Sequence, residues 1–491
     1  MGQDLTVIVL AAGGGTRMKS KTMKVLHQVG GRSIIGHVLN AVQAIEPHRL
    51  VAVVGHQREE VGAHIQALVP ECVLAVQEEQ NGTGDAVRVA IETVGDVSGT
   101  VVVATGDTPL LLGESLRAFA AEHEAAQRAV SVLSAIVDDS FGYGRIVRDE
   151  EGDVVAIIEE KDATPEQREI AEINSGILAF DAAFLVEALP QLGNDNSKGE
   201  YYLTDTVQIA RDAGLTVGAH AIDDGWQTEG VNDREELAAL GLELNRRIVS
   251  GWMQAGVSVM DPATTWVDAD VVLAPDVTIL PGTQLLGVTV VAEDAVIGPD
   301  TTLKDCEIGT GARVIRTHGE LAVVGDRATV GPYSYLRPGT QLGVRGKIGA
   351  FVETKNAEIG DDAKVPHLSY VGDAEIGEGA NIGAGTVFAN YDGVNKHRTK
   401  VGRHAKTASN NTFVAPVEIG DGAGTGAGTV VRRDVPPGAL AVSAGPQRNL
   451  PGWAQTKRAG TSQAEAASAA AASHDDGVGI GDSEESGAES S

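Results

Sequence analysis

The chain has 491 residues, of which 42% are hydrophobic and 4% aromatic, and its formal net charge is −30 at pH 7. This length predicts two or three domains rather than a single core. The negative charge argues against nucleic acid as a partner, because phosphate backbones need a basic surface, but it leaves room for small anions held by a few local cations.

Cysteine content and the amino-terminal residues bear on the compartment. Cys72 and Cys306 are the only cysteines and fall in different predicted domains, so we expect no disulfide and a reducing, cytoplasmic environment. The first residues carry Asp4 and lack a basic segment, so we expect no signal peptide. No apolar run is long enough to cross a bilayer, and we expect no membrane partner.

Residues 1–230 predict an α/β domain. The short apolar runs LTVIVLAA, LVAVVGH, CVLAVQE and TVVVATGD alternate with segments of helical length. This alternation is typical of a mostly parallel sheet. Ligands of such sheets bind beyond the carboxyl ends of the strands, so we expect the loops after Leu10, Gln77 and Gly106 to line a site.

A glycine-rich turn, GGG at residues 13–15, follows the first predicted strand. Neither common phosphate-binding fingerprint fits, since there is no G-x-x-x-x-G-K-[ST] and Met18 occupies the third glycine position of G-x-G-x-x-G. The nearby cations Arg17, Lys19, Lys21 and Lys24 could neutralise a triphosphate. The alternative is an ordinary turn beside a solvated basic face.

Residues 231–256 predict a linker helix between two domains. Apolar side chains recur at helical spacing, which favours packing of one helix face: Leu237, Leu240, Leu244, Ile248 and Trp252.

Residues 257–453 form a second predicted domain. From about Leu273 to about Val430 an aliphatic residue returns every sixth position and usually precedes glycine or another small residue. Each hexad is too short for a helix and suits one short strand and a turn, so the repeat predicts a solenoid with its aliphatic residues inside. Glycine would permit backbone angles that other residues resist. The hexads begin at Ile279, Ile297, Ile308, Val330, Ile359, Ile376, Ile382 and Thr425.

Residues 454–491 predict a disordered acidic tail. This segment is rich in alanine, serine and acidic residues, and it lacks aromatic residues.

Several motifs now fall in a recognisable order. LAAGGGTRM with KVLH resembles the sugar-1-phosphate nucleotidylyltransferases, as do QEEQNGTGDA, TGDTPLL, FGYGRIV, IIEEKDAT, EINSGILAFD, GEYYLTD and EGVNDR. With the solenoid, residues 5–453 resemble the bacterial bifunctional N-acetylglucosamine-1-phosphate uridylyltransferases / glucosamine-1-phosphate N-acetyltransferases. RTHGE and PPGALAVSAGPQRN suggest the actinobacterial branch. The resemblance implies a Rossmann-like nucleotidyltransferase domain followed by a left-handed parallel β-helix.

The resemblance also implies the residues of a first site. Arg17 and Lys24 would hold the triphosphate of UTP, and Asp107 and Asn232 would bind Mg²⁺. Alone, Asp107 could be a turn residue and Asn232 a helix cap. The remaining residues would border the nucleotide or N-acetylglucosamine-1-phosphate: Leu10, Ala11, Ala12, Gly13, Gln77, Gln80, Gly82, Thr83, Thr105, Gly144, Glu159, Asn174, Tyr202 and Thr204.

A second site is implied in the solenoid. His367 would be the general base, although a lone histidine is more often a surface or packing residue. Glucosamine-1-phosphate would be bound by Arg337, Lys355, Tyr370, Asn381 and Lys396. Acetyl-CoA would be bound by Asn390, Tyr391, Ser409, Ala427 and Arg448. The segment FANYDGVNKHRTK breaks the hexad register, and in the family such a loop reaches a neighbouring subunit of a homotrimer formed through the β-helix.

The chain departs from the family pattern at a few positions. Met23 replaces a proline, which would loosen the loop of Lys24. Asp85 replaces a histidine, and we expect its carboxylate to weaken UTP binding relative to an Asp85→His variant. The acetyl-CoA side differs at Ala408, Asn410, Asn411 and Ala444, where Ala444 replaces an arginine for which Arg448 could substitute.

Two other classes fit the same two folds. One is a single-activity nucleotidylyltransferase with a structural hexapeptide domain, which would lack the Lys355, His367 and Tyr370 group. The other is a non-catalytic binding subunit, which would tend to lose the GGGTR turn and the metal pair.

Overall fold

The computed structural model describes residues 4–443, 445 and 447–475. The amino-terminal domain is an α/β sandwich. Its strands are β1 (Leu5–Leu10), β2 (Gln28–Val29), β3 (Arg32–Ser33), β4 (Arg49–Val54), β5 (Val73–Val76), β6 (Thr100–Thr105), β7 (Val130–Ile136), β8 (Gly144–Arg148), β9 (Val154–Ile158), β10 (Glu172–Asp181) and β11 (Val217–Ile222). Its helices are α1 (Ile34–Gln43), α2 (Arg58–Leu68), α3 (Thr83–Val94), α4 (Gly113–Ala125), α5 (Pro165–Arg168), α6 (Ala182–Ala188) and α7 (Thr206–Asp212).

The central sheet has the strand order β11-β7-β10-β6-β1-β4-β5, and β8 and β9 extend it from β10. The pairs β1–β4, β1–β6, β4–β5 and β7–β11 are parallel. Strand β10 runs antiparallel to β6, β7 and β8, and β8 runs antiparallel to β9. The four runs predicted from sequence form β1, β4, β5 and β6, and their carboxyl ends lie along one edge of the sheet. This confirms the predicted α/β fold.

Helices cover both faces of the sheet, which explains why its strands read as continuous apolar runs. Val7 and Val9 of β1 pack with α1, α2 and α4, whereas Ile8 packs with α3, α6 and α7. The two cores are therefore separated by a sheet that is buried on both sides.

Helix α8 (Arg234–Gln254) joins the two domains, as the apolar spacing predicts. Its N-cap is Asp233, whose carboxylate accepts hydrogen bonds from the backbone of Glu235 and Glu236. Leu237, Leu240 and Leu244 pack against the amino-terminal domain. Ile248 and Trp252 pack against the solenoid core, so one apolar stripe holds both domains.

The carboxyl-terminal domain is a parallel β-helix. Its strands are β12 (Ser258–Val259), β13 (Trp266–Val267), β14 (Val272–Leu273), β15 (Thr278–Ile279), β16 (Gln284–Leu286), β17 (Val290–Val291), β18 (Val296–Ile297), β19 (Thr302–Lys304), β20 (Glu307–Ile308), β21 (Arg313–Val314), β22 (Thr317–Glu320), β23 (Val323–Val324), β24 (Thr329–Val330), β25 (Ser334–Leu336), β26 (Thr340–Leu342), β27 (Lys347–Ala350), β28 (Glu353–Ile359), β29 (Lys364–His367), β30 (Tyr370–Ile376), β31 (Val387–Ala389), β32 (Thr399–Val401), β33 (Thr412–Val414), β34 (Val417–Ile419), β35 (Gly424–Thr425), β36 (Val430–Val431) and β37 (Leu440–Ala441).

Strands of this domain pair with the equivalent strands of the neighbouring coil. Thr278 pairs with Val296, which lies 18 residues later, so one coil takes about three hexads. The aliphatic residue that begins each hexad points inward, and Ile279, Ile297 and Ile382 are fully buried. Stacked side chains of this kind form one continuous core along the solenoid.

Glycine is required in the hexads for two different reasons. Gly298 and Gly331 have positive φ angles of 102° and 98°, as we expected. At Gly360 the reason is instead close packing, because a Cβ atom would lie 2.8 Å from the backbone nitrogen of Glu378 in the next coil. The expectation of unusual backbone angles therefore holds for only part of the repeat.

The end of the chain differs from the predicted tail. Residues 454–475 are largely helical, in α9 (Trp453–Lys457) and α10 (Ser462–Asp475). Alanine has the highest helix propensity of the amino acids, so the alanine-rich composition that suggests disorder also favours a helix. Residues 476–491 of the predicted tail lie outside the described residues.

Among residues 4–443, 445 and 447–475, no helix is both long and apolar enough to cross a membrane. The two cysteines are buried and free, as expected from their separation.

Candidate functional sites

An open cleft of about 960 Å³ lies at the carboxyl edge of the amino-terminal sheet. Gly14 and Thr16 line it from the loop after β1, and Gln77 and Gln80 line it from the loop after β5. The loop after β4, residues 55–57, and the first turn of α2, residues 58–60, also line it. We did not predict this third loop, although the same strand-end rule applies to it.

Gly15 positions the side chain of Lys24. Its φ of 58° lies in the left-handed region, and a Cβ atom on it would lie 2.5 Å from the Cβ of Lys24. Lys24 is half-buried beside this turn, while Arg17, Lys19 and Lys21 are exposed. The glycine-rich turn thus places one cation of the basic group firmly and leaves the other three in solvent.

Lys24 contacts both residues predicted to bind metal. Its Nζ lies 2.5 Å from Oδ2 of Asp107 and 3.4 Å from Oδ1 of Asn232. A hydrogen bond of 2.9 Å from the Val231 amide to the Asp107 carbonyl holds the two loops together. Asn232 is not the helix cap, since Asp233 has that role.

The side-chain oxygens of Asp107 and Asn232 therefore converge on a cation. One carboxylate and one amide oxygen suit a hard divalent ion that takes its other ligands from phosphate and water. In the described part of the chain, no group of three or more histidine, cysteine or acidic side chains could hold a metal. This small donor set fits the predicted Mg²⁺, shared with a bound triphosphate.

Tyr143 lies beside this centre and is absent from our predicted residues. Burial, followed by the charges of Glu229, Glu236 and Asp107, raises its pKa to about 12. The phenol therefore stays protonated near the Asp107 carboxylate. The FGYGRIV motif contained this residue, but only the fold brings it to Asp107.

The residues predicted to read the base lie at the start of α3. Nε2 of Gln80 donates to the Ala12 carbonyl at 2.6 Å, which ties the loops after β5 and β1 together. Gly82 has a φ of 109°, and a Cβ atom there would lie 2.6 Å from the Tyr201 carbonyl oxygen. Thr83 accepts a hydrogen bond of 3.1 Å from the Leu203 amide. The base-side and sugar-side loops are therefore docked on each other.

Leu10 and Thr105, at the ends of β1 and β6, are register partners at the rim of this site. The predicted sugar pocket is assembled beside them from three strands. Gly144 of β8 pairs with Asn174 of β10, and a Cβ atom on Gly144 would lie 3.5 Å from Oε1 of Glu159. Burial raises the pKa of Glu159 above its ordinary value, and nearby carboxylates add to this.

Tyr202 and Thr204 are buried on the adjacent segment, and Nζ of Lys198 lies 5.6 Å from the centroid of the Tyr202 ring. The structure thus gathers the predicted sugar residues into one region, next to the base-side loops.

In the β-helix, three predicted cations lie in one group. Lys396 lowers the pKa of Lys355, mainly through direct side-chain contact, and Arg337 adds to this effect. Nη1 of Arg337 donates to Oε1 of Glu353 at 2.9 Å. Three cations close enough to lower the pKa of Lys355 form a concentration of positive charge that suits a phosphate dianion.

Tyr370 and Asn390 belong to the same group, since Nδ2 of Asn390 lies 3.4 Å from the Tyr370 hydroxyl. Asn390 also donates to Asp373 at 2.5 Å. Burial raises the pKa of Asp373, but hydrogen bonds from Asn356 and Asn390 and the two lysines bring it below its ordinary value. We did not predict Asp373, which lies in the KVPHLSYVGD motif and offsets part of the charge of Lys355 and Lys396.

His367 and Asn381 lie apart from each other. His367 is exposed at the end of β29, three residues before Tyr370. Asn381 pairs with Lys364, which begins β29. Within one chain, His367 and Asn381 therefore lie at opposite ends of β29. Their separation follows from the length of this four-residue strand, since each residue advances the chain by about 3.3 Å.

The loop that breaks the hexad register is internally braced. Asp392 accepts hydrogen bonds from the backbone of Val394 and Asn395 and from the His397 ring. These bonds, led by that of Asn395, lower the pKa of Asp392 to about 2. Tyr391 is exposed on this loop.

The other predicted acetyl-CoA residues lie nearer the end of the solenoid. The carbonyl of Ser409 accepts a hydrogen bond of 2.9 Å from the amide of Gly428, which follows Ala427 one coil later. Arg448 is exposed beyond the last strand. Ala444 lies outside the described residues.

The structure shows the burial and the contacts of the residues that depart from the family pattern. Met23 is buried in the core, at a φ of −59° that proline also adopts. Its apolar side chain therefore anchors the loop that proline would stiffen. Asp85 is buried and paired with Arg88, which offsets the charge that we expected to repel UTP. On the solenoid, Asn411 is buried and donates to the Ala408 carbonyl, while Asn410 has a φ of 57° at an exposed corner.

Residues 6–239 match the family model described as Nucleotidyl transferase. Three similar proteins are each named Bifunctional protein GlmU. That of Pseudarthrobacter chlorophenolicus is 57% identical over 467 residues, which are 94% of this chain and 95% of the relative. That of Rhodococcus opacus is 58% identical over 476 residues, 95% of each chain. That of Corynebacterium jeikeium is 56% identical over 471 residues, 95% of this chain and 96% of the relative.

Proposed function

Since the chain belongs to the GlmU family of bifunctional proteins, we propose that it makes UDP-N-acetylglucosamine in two reactions. The β-helix domain acetylates glucosamine-1-phosphate with acetyl-CoA. The α/β domain then transfers UMP from UTP to N-acetylglucosamine-1-phosphate and releases pyrophosphate. The observation that carries this is that each domain gathers its own group of residues suited to a phosphate substrate: Lys24 with the cation-binding oxygens of Asp107 and Asn232, and Lys355 with Lys396 and Arg337.

In the α/β domain, catalysis depends on position and charge. Lys24 and Arg17 hold the triphosphate, while the loops of Gln77 and Gly82 hold the uracil. The sugar phosphate is held near Glu159 and Asn174, so that its phosphate oxygen faces the α-phosphorus in line with the leaving pyrophosphate.

Asp107 and Asn232 would hold Mg²⁺, which would neutralise charge on the triphosphate. Lys24 leaves these two oxygens for the phosphates when the ion and nucleotide bind. No protein nucleophile is required for this transfer.

In the β-helix, Arg337, Lys355 and Lys396 hold the phosphate of glucosamine-1-phosphate, and Tyr370 helps to orient the sugar. His367 takes a proton from the amine as its nitrogen attacks the thioester carbonyl. The carbon–sulfur bond breaks, the proton held by His367 passes to the sulfur, and CoA leaves as a free thiol. Asn390, Tyr391, Ser409 and Ala427 line the acetyl-CoA side, with Arg448 at its outer end.

A homotrimer through the β-helix completes the second site. Tyr333, Phe351 and Leu368 form an exposed apolar stripe over successive coils, and the rings of Tyr333 and Phe351 stack at 5.3 Å. Such a stripe beside His367 suits burial against another copy. The separation of Asn381 from His367 then has a reason, because Asn381 would act in the site of a neighbouring chain.

The substrates UTP and acetyl-CoA and the two free cysteines favour the cytoplasm as the compartment. We expect the product to supply cell-wall precursors.

Two assays test the proposal. The protein is given glucosamine-1-phosphate and acetyl-CoA while free thiol is measured, and then UTP with Mg²⁺ while pyrophosphate is measured. We expect both signals in sequence. Pyrophosphate without thiol release would favour a single-activity nucleotidylyltransferase, and neither signal would favour a binding subunit.

Subunit sharing is tested by mixing His367→Ala and Asn381→Ala chains after dissociation. Recovery of thiol release toward the statistical fraction of intact sites is expected. No recovery would place both residues in one chain's site.

A further inference from the structure

Gln77 is a buried amide at the wall of the cleft. It follows β5 and is 4% exposed. Its Nε2 donates to the Gly82 carbonyl at 3.1 Å and to Oδ2 of Asp85 at 2.8 Å. Both hydrogens of the amide nitrogen are thus used within the protein.

These two partners fix which way the amide faces. A backbone carbonyl and an ionised carboxylate accept hydrogen bonds and donate none. If the amide were turned over, its oxygen would face two acceptors in a buried setting, which is costly. Oε1 of Gln77 is therefore the atom that remains for a ligand in the cleft.

Asp85 is itself held in place. It is 5% exposed, lies in the first turn of α3, and forms an ion pair with Arg88 one turn later. The positive end of the helix dipole also favours a carboxylate there. Oδ1 of Asp85 accepts from Arg88 and Oδ2 accepts from Gln77, so both carboxylate oxygens act as acceptors.

We propose that Asp85 is a positioning residue that acts through Gln77 to select a pyrimidine with an N–H donor on its pairing edge, uracil or thymine rather than cytosine. This rests on the proposed function, in which UTP binds in this cleft. Uracil presents N3–H to the fixed Oε1. Cytosine presents an unprotonated N3, which would leave two acceptors facing each other.

The experiment compares kcat/KM for UTP and for CTP, each with N-acetylglucosamine-1-phosphate, by pyrophosphate release. The variants are Asp85→Asn, Gln77→Ala and the double variant. Asparagine keeps the volume of Asp85, but its oxygen satisfies Arg88 best and turns its amide nitrogen toward Gln77. We expect the UTP-to-CTP ratio to fall at least about tenfold in Asp85→Asn, the loss of one charge-assisted hydrogen bond.

A matched control variant and a double-mutant cycle between Asp85 and Gln77 distinguish positioning of the Gln77 amide from a general structural effect. Glu92→Gln removes a carboxylate from the exposed side of the same helix, and we expect it to leave the ratio unchanged. Asp85→Asn should change the ratio no further once Gln77 is alanine. Asp85→Ser, which also lacks a fixed acceptor, repeats the test if Asp85→Asn does not fold.

Three results would overturn the inference. One is an equal loss of kcat/KM for both nucleotides in Asp85→Asn, and another is a further change of the ratio in the double variant. The third is a wild-type protein that releases no pyrophosphate from UTP, which would overturn the proposed function as well. A wild-type protein that uses UTP with an unchanged ratio in the variants overturns this inference alone.

Discussion

Nζ of Lys24 lies 2.5 Å from the carboxylate of Asp107, at the point where the predicted metal ligands Asp107 and Asn232 meet. The ammonium and a divalent cation would compete for the same two oxygens. The structure therefore links metal entry to a movement of Lys24, which then becomes free to contact the triphosphate.

This competition predicts the behaviour of Lys24→Met. Without nucleotide, Mn²⁺ as a probe should bind more tightly to this variant than to the wild type, by about tenfold. Pyrophosphate release should nevertheless fall by about 100-fold, because the triphosphate loses a cation. Calorimetry measures the first quantity, and Lys19→Met on the same exposed loop is the control. Equal or weaker Mn²⁺ binding in Lys24→Met would contradict the competition.

Gly15→Ala should disturb the group of Lys24, Asp107 and Asn232 by displacing Lys24, against which Gly15 packs. The left-handed φ and the clash with Lys24 predict a loss of about 1–2 kcal/mol in the free energy of unfolding and a displaced Lys24. Gly14→Ala is the matched control, since a Cβ atom there would meet nothing within 4 Å. Thermal unfolding compares the two variants. Similar melting temperatures for both would mean that the turn is not strained at Gly15.

The lysine pair of the β-helix predicts a pH effect on acetyl transfer. Because Lys396 lowers the pKa of Lys355, Lys355 loses its proton at a lower pH than an ordinary lysine. The KM for glucosamine-1-phosphate should therefore rise on the alkaline side. In Lys396→Met this rise should move to higher pH, although the KM at pH 7 increases. Lys400→Met is the control, and an alkaline limb at the same pH in Lys396→Met would argue against the coupling.

Acid stability should depend on Glu243 of the linker helix. Hydrogen bonds from Arg246, opposed by burial, lower its pKa to about 2. A lowered carboxyl pKa stabilises the fold above the unfolded value of 4.5 and loses that effect as the pH falls toward 2. Glu243→Gln should cost about 1–2 kcal/mol at pH 7, a modest value because Arg246 is exposed, and much less at pH 2, where the carboxyl group is about half protonated. Denaturant unfolding measures the free energy of unfolding, with Glu235→Gln as the control variant. An equal loss of stability at both pH values would show that the ion pair of Glu243 is not its cause.

Local patterns were enough to predict the architecture. The valine-rich runs ending at Leu10 and Thr105 are strands because they are buried on both faces, and the hexads are coils because residues such as Ile297 stack inward. The helix at the alanine-rich residues 462–475 was harder to predict, because the same composition is compatible with disorder and with a helix.

Long-range contacts were not predictable in this way. The charge of Asp107 acts on Tyr143 because the fold brings the residue before β8 near the loop after β6. The charge of Lys396 acts on Asp373 because a loop leaves the regular coil. The ion pair of Asp85 with Arg88 has helical spacing, and that signal was available in the sequence. The hydrogen bond between Asp85 and Gln77 could not be predicted from sequence, because it depends on how α3 is placed after β5.

Two separate sites in one chain are the basis of the proposed function, and a crossed pair of variants tests this directly. Thiol release and pyrophosphate release are measured for His367→Ala and Asp107→Ala, with His404→Ala and Asp212→Ala as exposed controls. We expect His367→Ala to lose thiol release by at least about 100-fold and keep pyrophosphate release, and Asp107→Ala to do the reverse. Loss of both signals in either folded variant would contradict the account.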